Sequence, residues 1–460
     1  MRDMLTSSVS MEIPYGDSPT VVRRRARSGY SANAYLWSVL LTVATTLFVL
    51  AAFNFVVDPY AMFRAFDRPG FNDQKPSVYN RVRLLKAYEV RRVQPESIVL
   101  GSSRSHVAFR PNQEDWAGQG MRTYNLAFDG ALTKEMYFYL LHADAVHSLR
   151  QVILSLDTYH PTHAPGLTRP DFDASVLLSD GGLMDRVRLG LTDLRILTSF
   201  GTLADSINTV RARHNGEPMW LAPDGQRRAE VFFHRASEHY ETLGPRAYFD
   251  EIDNLEVGFK LEWRIPRARN HAAKLGPPKS DPFTSLDYIR KIVTFCRDHR
   301  IGLTIVLTPA HAHQLELTAA TGDWPALEEG KRELVELLAN DARQHPDQEP
   351  IPLYDFSGYS QITTEALPPK GTQTEMEFYW DSSHFKENVG DRILHRLFGP
   401  PVGAGGAPAD DFGVRLTPGN IDQVLADTRQ QQDVYRRRFP ADIEALHAIV
   451  GAYKETNHIR

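Results

Sequence analysis

Ser103, Asp381 and His384 are a hydroxyl, a carboxylate and an imidazole, the three groups that can make a nucleophile, the part that orients its base, and the base. Ser103 lies in Leu100-Gly101-Ser102-Ser103-Arg104, and the other two lie in Trp380-Asp381-Ser382-Ser383-His384-Phe385. Pro95 and Glu96 interrupt the pattern before the first segment. Ser97-Ile98-Val99-Leu100 then reads as a short buried strand and Gly101 permits a tight turn, so Ser103 is expected at a strand's carboxyl end. In an open α/β sheet ligands bind at that edge, and the N–H groups opening the next helix can stabilise negative charge. The competing reading makes the serines a polar turn with a helix cap. In the second segment an Asp three residues before a His lets one short peptide deliver base and orienter together. Asp381 would hold one ring nitrogen of His384 while the other faces Ser103, giving acyl-transfer chemistry. Here too there is an alternative: Asp381 could cap the helix that continues from Glu387 to Phe398.

These residues need a scaffold, and the chain alternates strand and helix in the way that builds one. Thr123–Ala127 and Val152–Leu156 read as strands around a helix at Thr133–Val146. Helix Leu286–His299 and strands Leu303–Leu307 and Ile351–Phe356, the last with Asp355 near its end, resume the alternation. The expectation is an α/β fold with a parallel sheet flanked by helices. Between them, residues 163–285 change character, with helical stretches at Met184–Phe200 and Leu203–Arg213 and turn-rich patches at Asn215-Gly216 and Pro223-Asp224-Gly225. This is read as a mainly helical insertion, either a lid over the substrate groove or a structural buttress. Phe71–Val93 begins as a polar linker and becomes a basic amphipathic helix, with Val82, Leu85 and Val90 among Arg81, Arg83, Lys86, Arg91 and Arg92. Its charges are expected on a solvated face. After Gly399 come a Pro/Gly/Ala-rich linker, Pro400–Pro408, and a charged helix near Gln430–Arg438.

Near the amino end, Ala34–Val57 is almost wholly apolar and carries no charge, long enough to cross a hydrocarbon core of about 30 Å. Arg23, Arg24, Arg25 and Arg27 precede it and Asp58 follows. The positive-inside rule therefore puts the amino terminus in the cytoplasm and the rest outside. The run is longer than a secretory signal core, and Phe53-Asn54-Phe55 is bulky where a peptidase needs small residues, so a retained single-pass anchor is expected over a cleaved signal or a buried helix. The resulting division is 1–33 cytoplasmic tail, 34–57 anchor, 58–96 linker and amphipathic helix, 97–162 first core half, 163–285 insertion, 286–399 second core half, and 400–460 tail. With 460 residues, 42% hydrophobic, 24% charged and a net charge of −5, the rest is an ordinary globular body with no mark of nucleic-acid binding. Its lone Cys296 lies in an apolar helical pattern and can form no internal disulfide, which is compatible with a bacterial periplasm.

A strand followed by Gly-x-Ser, then Tyr124-Asn125-Leu126-Ala127-Phe128-Asp129-Gly130, and finally Asp-x-x-His occur here in the order of the SGNH (GDSL-like) hydrolase superfamily. The chain resembles that superfamily over about residues 97–160 and 286–398. The resemblance implies a flavodoxin-like sheet, a Ser103-His384-Asp381 triad and an oxyanion hole from the N–H groups of Ser103 and Gly130. The family's third block departs: Asp157-Thr158-Tyr159-His160 stands where Gly-x-Asn-Asp belongs, so its oxyanion Asn is absent. A missing donor is worth about 2.7–4 kcal/mol of transition-state stabilisation. The Gly-x-Ser-x-Gly elbow of α/β-hydrolases is excluded, because Ser105 occupies its second Gly position.

Candidate substrate contacts are Asn125, Asp157, His311 on the turn after the Leu303–Leu307 strand, and Trp380, whose neighbours Phe378 and Tyr379 complete an aromatic surface suited to sugar rings. His311 and His313 lack a carboxylate or Cys at ligand spacing, so no metal is expected, and no other cofactor is called for. Membrane-anchored proteins of SGNH type often modify polysaccharides with acetyl groups. The resemblance therefore implies a serine esterase or O-acyltransferase in a bacterial inner membrane. Its catalytic domain would be periplasmic, its substrates an acyl donor and an envelope or exported polysaccharide, and other envelope biosynthesis proteins are candidate partners. The alternative is a catalytically silent member that binds glycan or scaffolds an assembly complex.

Overall fold

The computed structural model describes residues 32–157, 168–178, 181–212, 221–229, 233, 238–261, 281–400 and 412–459. The Arg23–Arg27 cluster, Thr158–His160, Asn215-Gly216 and most of the Pro400–Pro408 linker lie outside them. The chain divides into two units, Met1–Leu50 and Ala51–Arg460. Among the described residues one helix, α1 (Ala32–Val57), is long and apolar enough to cross a membrane, by length and composition.

Six strands form one mixed sheet: β1 (Ser97–Leu100), β2 (Thr123–Asn125), β3 (Gln151–Leu156), β4 (Gly302–Leu307), β5 (Leu353–Asp355) and β6 (Val414–Leu416). Their order is β2-β1-β3-β4-β5-β6. The first five are parallel, and β6 runs antiparallel on the edge beside β5. The parallel part has the strand order of flavodoxin-type doubly wound sheets, whose binding crevice opens where the order reverses, between the carboxyl ends of β1 and β3. Ser97 pairs with both Thr123 and Gln151, and Gln151 pairs with Gly302, so these strands start level and end at one edge.

Every residue of β1 is buried, as expected of a parallel sheet covered on both faces. Successive side chains divide between two cores. Ile98, Leu100, Val152, Leu154 and Ile305 face helices α2 (Val82–Val93), α5 (Thr133–Val146) and α10 (Ser285–Asp298). Val99, Ile153 and Val306 face Phe109, Trp116, Phe249 and α13 (Glu387–Phe398). Between β3 and α10, the described residues hold α6 (Leu183–Leu197), α7 (Phe200–Ala212), α8 (Glu238–Thr242) and α9 (Pro245–Leu261), and no strand of the sheet. After β4 come α11 (Ala312–Thr321) and α12 (Trp324–Gln344). After β6 come α14 (Ile421–Arg438) and α15 (Pro440–Thr456). Two short helices, α3 (Ser103–Ala108) and α4 (Glu114–Ala117), follow β1.

Two expectations are corrected. The charges of α2 are not all solvated: Arg81 just before it and Arg92 are exposed and Arg91 is half-buried, but Arg83, Lys86 and Glu89 are buried. Arg83 donates to Glu135 (3.0 Å) and Asp171 (3.1 Å), and Lys86 Nζ donates to the carbonyls of Asn125 and Gly225, each at 2.5 Å. Buried polar groups persist where such partners satisfy them. The carboxyl-terminal region, expected to hold one helix, contributes the edge strand and two helices.

Candidate active site

The serine turn is built by close approach. A Cβ on Gly101 would lie 2.6 Å from Ser105 Oγ and 3.0 Å from Ser155 Cβ, so only glycine lets β1 pass β3 here. Ser102 is the extended residue before α3, and Ser103 opens that helix, its side chain partly exposed. The segment after β2 runs alongside, with Phe128 N–H donating to the Gly101 carbonyl (3.1 Å).

The histidine segment is a small hairpin. Tyr379 and Phe385 form an isolated antiparallel bridge, with Trp380 N–H donating to the His384 carbonyl (2.9 Å) and Lys386 N–H to that of Phe378 (2.7 Å). At its tip the Asp381 carboxylate accepts from the N–H groups of Ser383 (2.7 Å) and His384 (2.8 Å). Asp381 thus caps the turn and faces the histidine at once. The turn after β4 braces the tip, since His311 N–H donates to the Ser382 carbonyl (3.1 Å) and Gln314 Nε2 to Ser382 Oγ (2.9 Å).

Ser103, His384 and Asp381 meet at the crevice. His384 Nδ1 is 2.9 Å from Asp381 Oδ2, and His384 Nε2 is 2.9 Å from Ser103 Oγ. A carboxylate can only accept, so Nδ1–H donates to Asp381, and Nε2 is left to accept from the serine hydroxyl. Asp381 is fully buried, whereas the His384 side chain keeps 19% of its surface exposed. Burial opposes the imidazolium, but the charge of Asp381 and its hydrogen bond outweigh burial and the nearby Arg104 and Arg227, so the His384 pKa is raised above its ordinary value. The arrangement can take a proton from Ser103 and hold the charge that results.

Around the triad, Asp157 at the end of β3 accepts from Ser102 Oγ (2.7 Å) and lies 3.9 Å from Arg104 Nε. Arg104 also donates to Ser383 Oγ (3.1 Å), joining the two segments, while its Nη1 is buried with no hydrogen-bond partner in the protein. Asp129 accepts from Arg227 Nη1 (2.5 Å) and from His106 Nδ1 (3.1 Å). Burial works against the Asp129 charge, but these two partners hold its carboxyl below the usual carboxylate range. Burial pushes the His106 pKa down to about 3. Gly130 adopts φ +60°, where a Cβ would strike Arg169 Nη2 at 2.8 Å, and its carbonyl accepts from Arg169 Nε (3.1 Å).

Three residues expected to touch substrate are committed elsewhere. Asn125 is fully buried, donating to the carbonyls of Ser105 (2.9 Å) and Phe109 (2.8 Å) and accepting from Ala127 N–H (3.0 Å), so it fixes the turn. His311 is fully buried: its Nδ1 accepts from His313 N–H at the start of α11, and its Nε2 donates to the Glu365 carbonyl (2.8 Å). Trp380 is buried, with the Phe233 ring stacked on it at 5.3 Å, which removes it as a sugar platform. The insertion supplies groups that sequence reasoning missed. Phe233 packs its ring 5.6 Å from that of His384, and the Arg227 side chain reaches Asp129 while its N–H donates to the His106 carbonyl (2.9 Å). No spacing rule marks either residue; Arg104, next to Ser103, was the accessible signal.

No protein-family model and no curated protein matches this chain.

Proposed function

We propose that this protein is a membrane-anchored serine esterase or O-acyltransferase of SGNH type, acting on acyl esters, in particular acetyl esters, of an envelope or exported polysaccharide. The observation that carries the reading is the continuous hydrogen-bonded line from Asp381 through His384 to Ser103, at the crevice where the strand order reverses. Ser103 Oγ attacks the acyl carbonyl as His384 Nε2 takes its proton. Collapse of the tetrahedral intermediate breaks the ester C–O bond, and the imidazolium returns that proton to the leaving alcohol. Water or a sugar hydroxyl then attacks the acyl-enzyme, with His384 again as base. The oxyanion is held by the N–H groups of Ser103 and Gly130, and Arg104, with one buried unpartnered nitrogen, adds positive charge beside the imidazole in place of the missing third-block Asn. The polysaccharide class follows from the resemblance. The same reading places α1 in a bacterial inner membrane, amino terminus cytoplasmic and the body periplasmic.

Fluorophosphonate labelling of the full chain in detergent tests it. Labelling of wild type that is lost in Ser103→Ala and in His384→Ala is expected. No labelling of folded wild type would refute an activated serine and favour a second reading, a silent glycan-binding scaffold. That alternative is favoured by Asp157, which stands where the family's third block begins and is bound to Ser102.

A further inference from the structure

We infer that α6 lies on the surface of the membrane that α1 enters, its outer apolar stripe immersed among lipid headgroups and upper acyl chains; this rests on reading α1 as an anchor. The inner side of α6 buries Asp185, Leu189 and Thr192. On the outer side Leu183, Val187, Leu191 and Leu194 recur at i, i+4, i+8 and i+11, which is one helix face, and Met184 widens it. These five side chains are 49–79% exposed, and Phe200, opening α7, is 79% exposed. At 100° per residue, Arg186 borders the stripe on one side and Arg188 and Arg195 border it on the other; Arg188 pairs with Asp185 and Arg195 with Asp173, and their side chains stay 44% and 66% exposed. A large apolar stripe edged by arginines along a water-soluble helix is the pattern of an interfacial helix, where guanidinium groups meet anionic headgroups. Monomeric soluble proteins seldom leave such a contiguous patch bare.

The argument for lipid over another occupant is continuity with the apolar run of α1. Asn54, in the last two turns of that helix, is fully buried; its Nδ2 donates to the carbonyl of Leu197, the last residue of α6 (2.8 Å), and its Oδ1 accepts from Ser206 Oγ of α7 (2.8 Å). Tyr60 Oη, just beyond, donates to Asp205 of α7 (2.5 Å). The point where the chain leaves the hydrocarbon is therefore bonded to the end of α6, and the far end of the stripe lies about 21 Å along the helix from it. The crevice that holds Ser103 belongs to the same unit, so a helix resting on the bilayer would fix how that crevice is presented to substrate at the membrane surface.

The test uses the full chain in phosphatidylcholine–phosphatidylglycerol vesicles. Cys296 is buried, and in a Cys296→Ser background single cysteines are placed at Leu47 in α1, Leu191 on the stripe, or exposed Leu255 on α9. Each is labelled with an environment-sensitive fluorophore and read against lipids brominated at shallow and deep acyl positions. Quenching at 47 and 191 with none at 255 is expected. Quenching at 47 alone overturns the docking of α6 and leaves the anchor standing. A blue-shifted, unquenched label at 191 assigns the stripe to a second copy or another protein, and equally overturns it. No quenching at 47 overturns the anchor, and this inference with it.

Discussion

Asp381→Asn should slow acyl transfer through Ser103 by about three to four orders of magnitude while the fold survives. The substitution is nearly isosteric. The carboxamide oxygen can keep the N–H groups of Ser383 and His384, which Asp381 now holds at 2.7 and 2.8 Å. Its NH2 group must then face His384 Nδ1. A donor there forces Nδ1 to accept and puts the ring proton on Nε2, pointing it at Ser103 Oγ, so the serine loses its base. The lost charge is a second route to the same magnitude. A carboxylate and an imidazolium about 4 Å apart attract by about 4 kcal/mol at an effective dielectric of about 20, equivalent to about three orders of magnitude in rate. In serine proteases the same exchange of the triad Asp for Asn, acting through the same wrong tautomer, costs about 10⁴ in turnover.

The assay is hydrolysis of 4-nitrophenyl acetate by the full chain in micelles, with a pH–rate profile. His384 must be neutral to accept a proton, and its pKa is raised by Asp381 against burial and two arginines. Wild-type activity should therefore fall as pH drops through a value above about 6.5. In Asp381→Asn the main raising influence is gone, and burial and the two arginines are opposed only by the charge of Asp129, so the acid limb of the residual activity should move down. A variant within tenfold of wild type, or with its limb unmoved, would refute the orienting role.

Gly101→Ala should lower stability by about 1–3 kcal/mol, because the new methyl meets Ser105 Oγ at 2.6 Å and Ser155 Cβ at 3.0 Å; thermal unfolding reads it. Phe233→Ala should cost about 3–5 kcal/mol and reduce esterase activity as well, since the ring fills space against both Trp380 and His384; a loss of stability with unchanged activity would limit Phe233 to packing. Burial brings the Lys86 pKa down to about 7. Between pH about 7 and about 10.4 the unfolded chain thus holds a proton that the native one does not, so stability rises with pH by up to about 1.4 kcal/mol per unit. Lys86→Met should abolish that rise in denaturant titrations at several pH values, and should also lose the hydrogen bonds to Asn125 and Gly225.

The two chemical segments were legible because their geometry is local. The strand, glycine and serine of residues 97–103 contain their own turn, and Asp381 caps the peptide that carries His384. Strands β1 to β5 were readable for the same reason, as short apolar runs between breakers. What escaped reading depends on partners far away in the chain. The polar face of α2 has the same periodicity whether it meets water or Glu135, Asp171 and the Asn125 carbonyl, and only the fold decides. His311 looked available because its turn ends a strand at the right edge, yet the helix it caps uses Nδ1 and the Glu365 carbonyl takes Nε2. Three-residue β6 follows a Pro/Gly-rich segment and pairs with β5 from outside, with no alternation long enough to register.

The insertion bears on how the base is tuned. Burial, Arg104 and Arg227 all lower the His384 pKa, against the raising charge and hydrogen bond of Asp381. Asp129 counters one of them: it binds Arg227 at 2.5 Å, and His106 Nδ1–H at 3.1 Å keeps that carboxylate charged. Asp381 then has only the remaining positive field and burial to overcome. Asp129, the residue before Gly130, thus acts as the counter-ion to an arginine that the insertion brings in. In the acyl transfer proposed above, the two arginines would add positive potential where the oxyanion forms, and Asp381 and Asp129 would keep His384 able to act as base beside them.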